Sequence, residues 1–323
     1  MKTSYFKPLV VAMGLGFSVS GYAESRVGIT FYHHGDDFIQ LMKKEMSNKA
    51  ISHHLQLLFN DSQNSQFVQN NQVEGLLKQR INVLAVNLVY PHAWDTVLGK
   101  AKEKNVPVIF FNRDPGEKAI ASYNKAYYVG ALPEEAGRLQ AQMIAKQWKK
   151  NPHYDLNHDG KIQYALLKGE DFHPDAEIRT KAVIDEFKKL GVTAEQLALE
   201  PAYWRKHIAK EKVAAWLKTD RNRIEVIIAN NDAMAIGAVE ATLEQGKTLP
   251  IYGVDATPEA LTLIQQGKLA GTVRNDWMAQ SQAIMAFAEN LANGKPADAG
   301  TAWKLKNRVL RIPYISVEKK DLN

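Results

Sequence analysis

Residues 27–46 read VGITFYHHGDDFIQLMKKEM: an apolar run, Val27–Tyr32, a short polar turn, then Phe38, Leu41, Met42 and Met46 at helical spacing. An apolar run with little alternation suits a parallel strand covered on both faces. The three-and-four spacing after it gives a helix one apolar stripe. The unit recurs along the chain. Further strands are expected at Leu55–Phe59, Val83–Val89, Val108–Phe111, Ile162–Leu167, Glu225–Ala229, Ile251–Val254 and Val309–Ile312. Helical patterns fall near 66–80, 92–105, 133–149, 175–190, 206–218, 232–246, 257–267 and 277–294. Repeated strand–helix alternation predicts an α/β protein of two doubly wound parallel-sheet lobes. No low-complexity linker separates them, so the chain is free to cross between lobes more than once.

The start of the chain stands outside this pattern. Lys2 and Lys7 precede a short apolar run, Pro8–Val19, and Gly21-Tyr22-Ala23 ends it with small residues two apart. That is the form of a secretory signal peptide, 1–23, and the run is too short to span a bilayer. Its removal leaves 300 of 323 residues, enough for two ordinary domains, and lowers the formal charge from +6 to +4. So mild an excess gives no basic stripe for nucleic acid. With no cysteine in the chain, the exported protein relies on its apolar cores and not on disulfides. These features point to a periplasm.

In folds of this class ligands collect beyond the carboxyl ends of the strands. No G-x-G-x-x-G or G-x-x-x-x-G-K-[ST] segment follows any of these strands, which argues against dinucleotides and nucleoside triphosphates. What does follow them is planar and polar: Asp36 with Phe38, then Asn112, the group His173, Asp175 and Arg179, then Asn231, Asp255 and Asn275. A pyranose offers a ring of hydroxyls and two flat C–H faces, and such side chains match both. Each residue also has a plainer account. Asp36, Asp175 and Asn231 could be helix N-caps, and Arg179 could pair with Asp175 one turn away on an exposed face.

A second signal is Asp155-Leu156-Asn157-His158-Asp159-Gly160-Lys161-Ile162-Gln163, which has the spacing of an EF-hand calcium loop through position 9. Position 12 is Leu166, where an EF-hand places glutamate, and the following residues read as a strand. Either a further carboxylate arrives from elsewhere in the fold, or this is an ordinary Asx-rich turn. The histidine pairs 33–34 and 53–54 could suggest a transition metal, but neighbouring side chains on a strand point apart.

At these residues the chain resembles the galactose/glucose-binding family of periplasmic receptors in bacterial ABC transport. The likeness runs over essentially everything after the leader. It includes Asn60-Asp61-Ser62-Gln63-Asn64, Lys125-Ala126-Tyr127-Tyr128-Val129-Gly130, His173-Pro174-Asp175-Ala176-Glu177, Asn230-Asn231-Asp232-Ala233-Met234 and Gly253-Val254-Asp255. The resemblance implies a type I periplasmic binding protein with a three-segment hinge. One lobe would hold 24–131 with 276–311, and the other 132–275 with 312–323. Sugar contacts would fall on Asp36, Asn112, His173, Asp175, Arg179, Asn231, Asp255 and Asn275, with Phe38 and Trp204 sandwiching the ring. A structural calcium ion would be held by Asp155, Asn157, Asp159, the Lys161 carbonyl, Gln163 and Glu225. The implied partners of a monomeric receptor are galactose or glucose, an inner-membrane ABC permease and a chemoreceptor. Gly35, Asp37 and Asp171-Phe172 depart from the family's usual loops and leave the galactose-to-glucose preference open.

Two other classes fit less well. Asp36, Asp175 and Asp255 could supply an acid/base pair for glycoside hydrolysis, but a guanidinium and amides beside them suit gripping hydroxyls. A sugar-responsive repressor would begin with a helix-turn-helix segment where this chain carries an export signal. Within the binding class, a ribose or other pentose receptor is the nearest competitor.

Overall fold

A computed structural model describes residues 24–220 and 223–322, so the expected signal peptide lies outside the described residues. The chain opens with β1 (Ser25–Phe31), α1 (Asp37–Ser52), β2 (Leu55–Asp61), α2 (Gln66–Lys78), β3 (Val83–Val86), α3 (Trp94–Glu103), β4 (Val108–Phe111), α4 (Glu117–Ser122) and β5 (Ala126–Gly130). It then forms α5 (Pro133–Lys150), β6 (Ile162–Lys168), α6 (Pro174–Lys189), β7 (Ala194–Pro201), α7 (Lys206–Thr219), β8 (Val226–Ala229), α8 (Asp232–Glu244), β9 (Ile251–Val254), α9 (Pro258–Gln265) and β10 (Gly271–Arg274). Helix α10 (Trp277–Ala292) and the short strands β11 (Val309–Arg311) and β12 (Ile315–Val317) complete it.

Two six-stranded sheets result, in the orders β11-β5-β4-β3-β1-β2 and β12-β10-β9-β8-β6-β7. The chain therefore passes between sheets three times: from β5 to α5, from β10 back to α10, and from β11 to β12. Helix α10 belongs with the first sheet, where Ser281 donates to the Met42 carbonyl at 3.3 Å and Gln282 to Glu45 at 2.8 Å. Pairing is parallel throughout except between β10 and β12, which run antiparallel.

The central strands are buried on both faces, and their alternate side chains feed different cores. In β3, Val83 and Ala85 join Ile29, Met42 and Phe287 under α1 and α10, while Leu84 and Val86 join Leu76, Leu98 and Phe110 under α2 and α3. The second lobe repeats this, with Leu167 and Ile227 facing Val213 and Met234, and Leu166 and Ile228 facing Ile144 and Phe187.

Several boundaries differ from expectation. The third strand stops at Val86, before the expected Val89, and just beyond it the Asn87 side-chain amide donates to the Phe111 carbonyl and to the Asn112 side chain. The strands β5, β7, β10 and β12 lie outside the eight expected runs. Strand β7 is a half-exposed edge with Glu and Gln in it, and β10 and β12 are only four and three residues long. The histidine pairs lie on turns and not on strands, with His53 Nδ1 2.5 Å from Glu289 and His34 Nδ1 3.9 Å from Asp61.

Candidate functional site

All ten residues named for sugar contact, Asp36, Phe38, Asn112, His173, Asp175, Arg179, Trp204, Asn231, Asp255 and Asn275, line one narrow cavity between the lobes. Its volume is about 40 Å³, and Tyr32, Ile39 and Arg113 complete the wall. The first lobe supplies Asp36, Phe38 and Asn112 and the second supplies most of the rest, while Asn275 follows β10 at the crossing. Each sits just past a strand's carboxyl end or in the first turns of the helix that follows, where a parallel sheet directs its loops.

Two of the lining residues also cap helices. Asp36 caps α1 through Oδ1, which accepts from Ile39 N at 3.0 Å, while Oδ2 accepts from the Tyr32 hydroxyl. Asn231 caps α8 with its oxygen on Met234 N at 3.0 Å, and its amide donates to the Trp204 carbonyl at 3.3 Å. At α6 the cap is His173, not Asp175: Nδ1 accepts from Asp175 N at 3.1 Å. That bond leaves the His173 proton on Nε2 when the ring is neutral. Burial, with the Arg113 and Arg179 guanidinium groups adding to it, holds this imidazole well below the usual histidine range.

Arg179 is no surface partner of Asp175, since it is only 4 % exposed. It donates to the Asn230 carbonyl at 2.7 Å and to the Tyr314 hydroxyl at 2.8 Å, and its Nε has no hydrogen-bond partner among the described residues. Gly137 makes the position possible, because a Cβ there would lie 2.2 Å from the Arg179 carbonyl oxygen. Burial pushes the Asp175 and Asp255 carboxyls up; the Arg179 charge opposes it at both, and at Asp255 the buried Asp232 adds to it. Asp232 itself is pushed up to about 7 by burial, although Thr272 and the Thr257 amide donate to it at 2.6 and 2.7 Å.

Local backbone strain concentrates here. Asn112, Trp204 and Asp255 all adopt positive φ, at 60°, 62° and 125°. Such conformations cost about 1–3 kcal/mol each in non-glycine residues and gather where ligands are met. Trp204 also needs Gly169, whose Cβ would come within 2.1 Å of the indole.

Three side chains escaped the sequence reading. Tyr32 looks like the last apolar residue of β1, and Tyr314 follows the sheet crossing; neither carries a local signal. Arg113 sits beside Asn112, buried, with its guanidinium 3.6 Å over the Tyr32 ring and Nη1 donating to the Val89 carbonyl at 2.5 Å. Its charge is met across the cleft by Glu170 at 3.1 Å.

The Asx-rich loop forms a separate cluster before β6. Asp155 accepts from Asp159 N at 3.1 Å and Gly160 N at 2.9 Å, and Asn157 accepts from Asp159 N at 3.0 Å. Gly160 makes the turn at φ 73°. Glu225 comes to the loop from the start of β8, accepting from Leu156 N at 2.7 Å and Gln163 N at 2.9 Å. It is 1 % exposed, and burial, with the Asp155 and Asp159 charges adding to it, pushes its carboxyl up. Gln163 donates to Asp159 at 2.8 Å, yet its buried Oε1 has no hydrogen-bond partner among the described residues. Among the described residues no three His, Cys, Asp or Glu side chains converge closely enough to hold a metal by themselves. The donors assembled are oxygens of carboxylate and amide, the set a hard cation takes.

Comparison with known proteins places this geometry. A family model described as a periplasmic binding protein domain matches residues 27–296. The D-galactose/methyl-galactoside binding periplasmic protein MglB of Haemophilus influenzae is 53 % identical over 99 % of this chain and 98 % of its own length. The ribose import binding protein RbsB of Bacillus subtilis is 23 % identical over 88 % of this chain and 87 % of its own. Among solved structures, an ABC transporter solute binding protein from Bacillus halodurans with bound myo-inositol superposes with a TM-score of 0.79 at 24 % identity, covering 93 % of this chain and 96 % of its own. At that identity it speaks for the fold alone.

Proposed function

The chain belongs to the periplasmic binding protein family, and on that premise we propose that it captures one galactose or glucose molecule between its lobes for uptake by an inner-membrane ABC permease. The observation that carries the reading is one interlobe cavity lined by the rings of Phe38 and Trp204 and by eight planar polar side chains. Buried Arg179 and Asp255 gain from charge-assisted hydrogen bonds once water has left, and the buried amides of Asn231 and Asn275 add neutral ones. Full-length identity of 53 % to a galactose-binding relative, against 23 % to a ribose-binding one, favours a hexose.

The cavity at about 40 Å³ is too tight for a sugar to enter as it stands. Ligand therefore binds with the lobes apart and stabilises their closure, because only the closed form offers contacts from both sides. The closed outline is what a permease recognises, and a chemoreceptor reads the same outline. The protein works as a monomer, exported to the periplasm by residues 1–23. A structural calcium ion sits in the Asx-rich loop, held by Asp155, Asn157, Asp159, the Lys161 carbonyl, Gln163 and Glu225. Supporting it are the unpartnered Gln163 Oε1 and the buried Glu225 carboxylate beside two aspartates. Calorimetry tests the central reading: galactose or glucose should bind at micromolar or tighter concentration, about 8 kcal/mol. Binding weaker than about millimolar for every hexose, or tight binding of ribose alone, would overturn it.

A further inference from the structure

Outside the inner cavity lies a larger chamber of about 510 Å³, walled by Tyr90 and Arg113 of the first lobe and by Glu170 and Tyr203 of the second. Tyr32, Asp36, Arg113 and Trp204 line both spaces, so the two adjoin along the edge these side chains form. The chamber repeats the inner chemistry on a larger scale. Ring faces come from both lobes, with Tyr90 61 % and Tyr203 48 % exposed. Its charges are of both signs, Arg113 and Arg205 against Glu170 and Asp171, which disfavours a strongly charged guest. Two lining side chains, His33 through Nδ1 and Trp204 through Nε1, hold buried nitrogens without hydrogen-bond partners among the described residues. Tyr203 and Trp204 both adopt positive φ, at 54° and 62°, so the loop after β7 is bent at this chamber at a cost in strain.

We propose that this chamber is a second sugar subsite, and that the chain takes neutral disaccharides as well as single hexoses. One ring occupies the inner cavity, and the second lies in the chamber with Tyr90 and Tyr203 offering faces to its C–H groups. The inference rests on the hexose reading of the inner cavity. A free hexose leaves the chamber to water, so the two tyrosines matter only for a two-ring ligand.

The test is calorimetry on the exported full chain, freed of ligand, with galactose and with lactose, maltose and melibiose, whose second rings leave from different positions. At least one disaccharide should bind within about tenfold of galactose. Tyr90→Ala and Tyr203→Ala should each weaken that disaccharide about tenfold and galactose less than about twofold. Galactose binding with no disaccharide binding at millimolar concentration would overturn the proposal, as would variants that weaken both ligands equally. Failure of galactose and every disaccharide alike would instead overturn the hexose reading, and this extension with it.

Discussion

Arg113, on the loop after β4, and Glu170, on the loop after β6, join the two lobes directly, with Nη2 3.1 Å from Oε1. Arg113 is buried and the Glu170 side chain 29 % exposed, so the pair is partly shielded from solvent. It exists only while the cleft is shut and therefore adds to closure. Glu170→Gln keeps the shape and removes the charge. The expected result is ligand release faster by about three- to tenfold, roughly 1 kcal/mol, with little change in the association rate. Stopped-flow measurement decides it, and an unchanged release rate would show that closure does not draw on this pair.

Arg179 ties the inner cavity to the second lobe's core through the Asn230 carbonyl and the Tyr314 hydroxyl. A lysine carries the same charge but cannot offer three donors in one plane. Arg179→Lys should lose about a hundredfold or more in hexose affinity and about 2–4 kcal/mol in stability, because buried acceptors lose their partner. Calorimetry and urea unfolding report the two separately. Full affinity in the variant would place the guanidinium outside ligand recognition.

How far these features could be read from sequence depends on their range along the chain. Runs such as Val108–Phe111 and Ile251–Val254 are wholly buried and announce themselves as strands without any partner. Strand β7 is an edge, its residues half-exposed and mixed in polarity, and it becomes a strand only by pairing with β6. The antiparallel course of β12 is likewise fixed by β10 and not by its own three residues. In the cavity, Asp36, Asn112 and Asp255 were visible because the fold puts strand ends there. Trp204 and Glu225 came from the family likeness alone. Arg113 was missed because its meaning lies in Glu170, 57 residues away on the other lobe.

His173 gives the protein a pH response with a definite sign. Its imidazole is held below the usual value by burial and by Arg113 and Arg179, while the unfolded chain titrates near 6.5. Below that pH the unfolded state binds more protons than the folded one, so stability falls as pH drops. His173→Asn can still cap α6 by accepting from Asp175 N but cannot titrate. Between pH 7 and pH 5 the parent should lose more unfolding free energy than the variant, by about 1–2 kcal/mol in urea melts. Equal losses would mean that the ring takes up its proton without unfolding.

Calcium removal should destabilise the second lobe without disabling the cleft. The Asx-rich loop precedes β6 and the cavity follows it, so seven residues, about 20 Å of strand, separate them. At a hundredfold excess over its dissociation constant, a bound ion contributes about 2.7 kcal/mol. For a chain of this size that corresponds to roughly 4 °C in the unfolding midpoint. Chelation should therefore lower the midpoint by about that much while hexose affinity, measured below it, stays within about threefold. Glu225→Gln leaves the loop intact in shape but removes the one carboxylate brought from outside it, so its midpoint should scarcely respond to calcium or chelator. If the parent unfolds identically with calcium and with chelator, the loop is a turn whose oxygens serve only its own backbone N–H groups, and Gln163 Oε1 is left without an explanation.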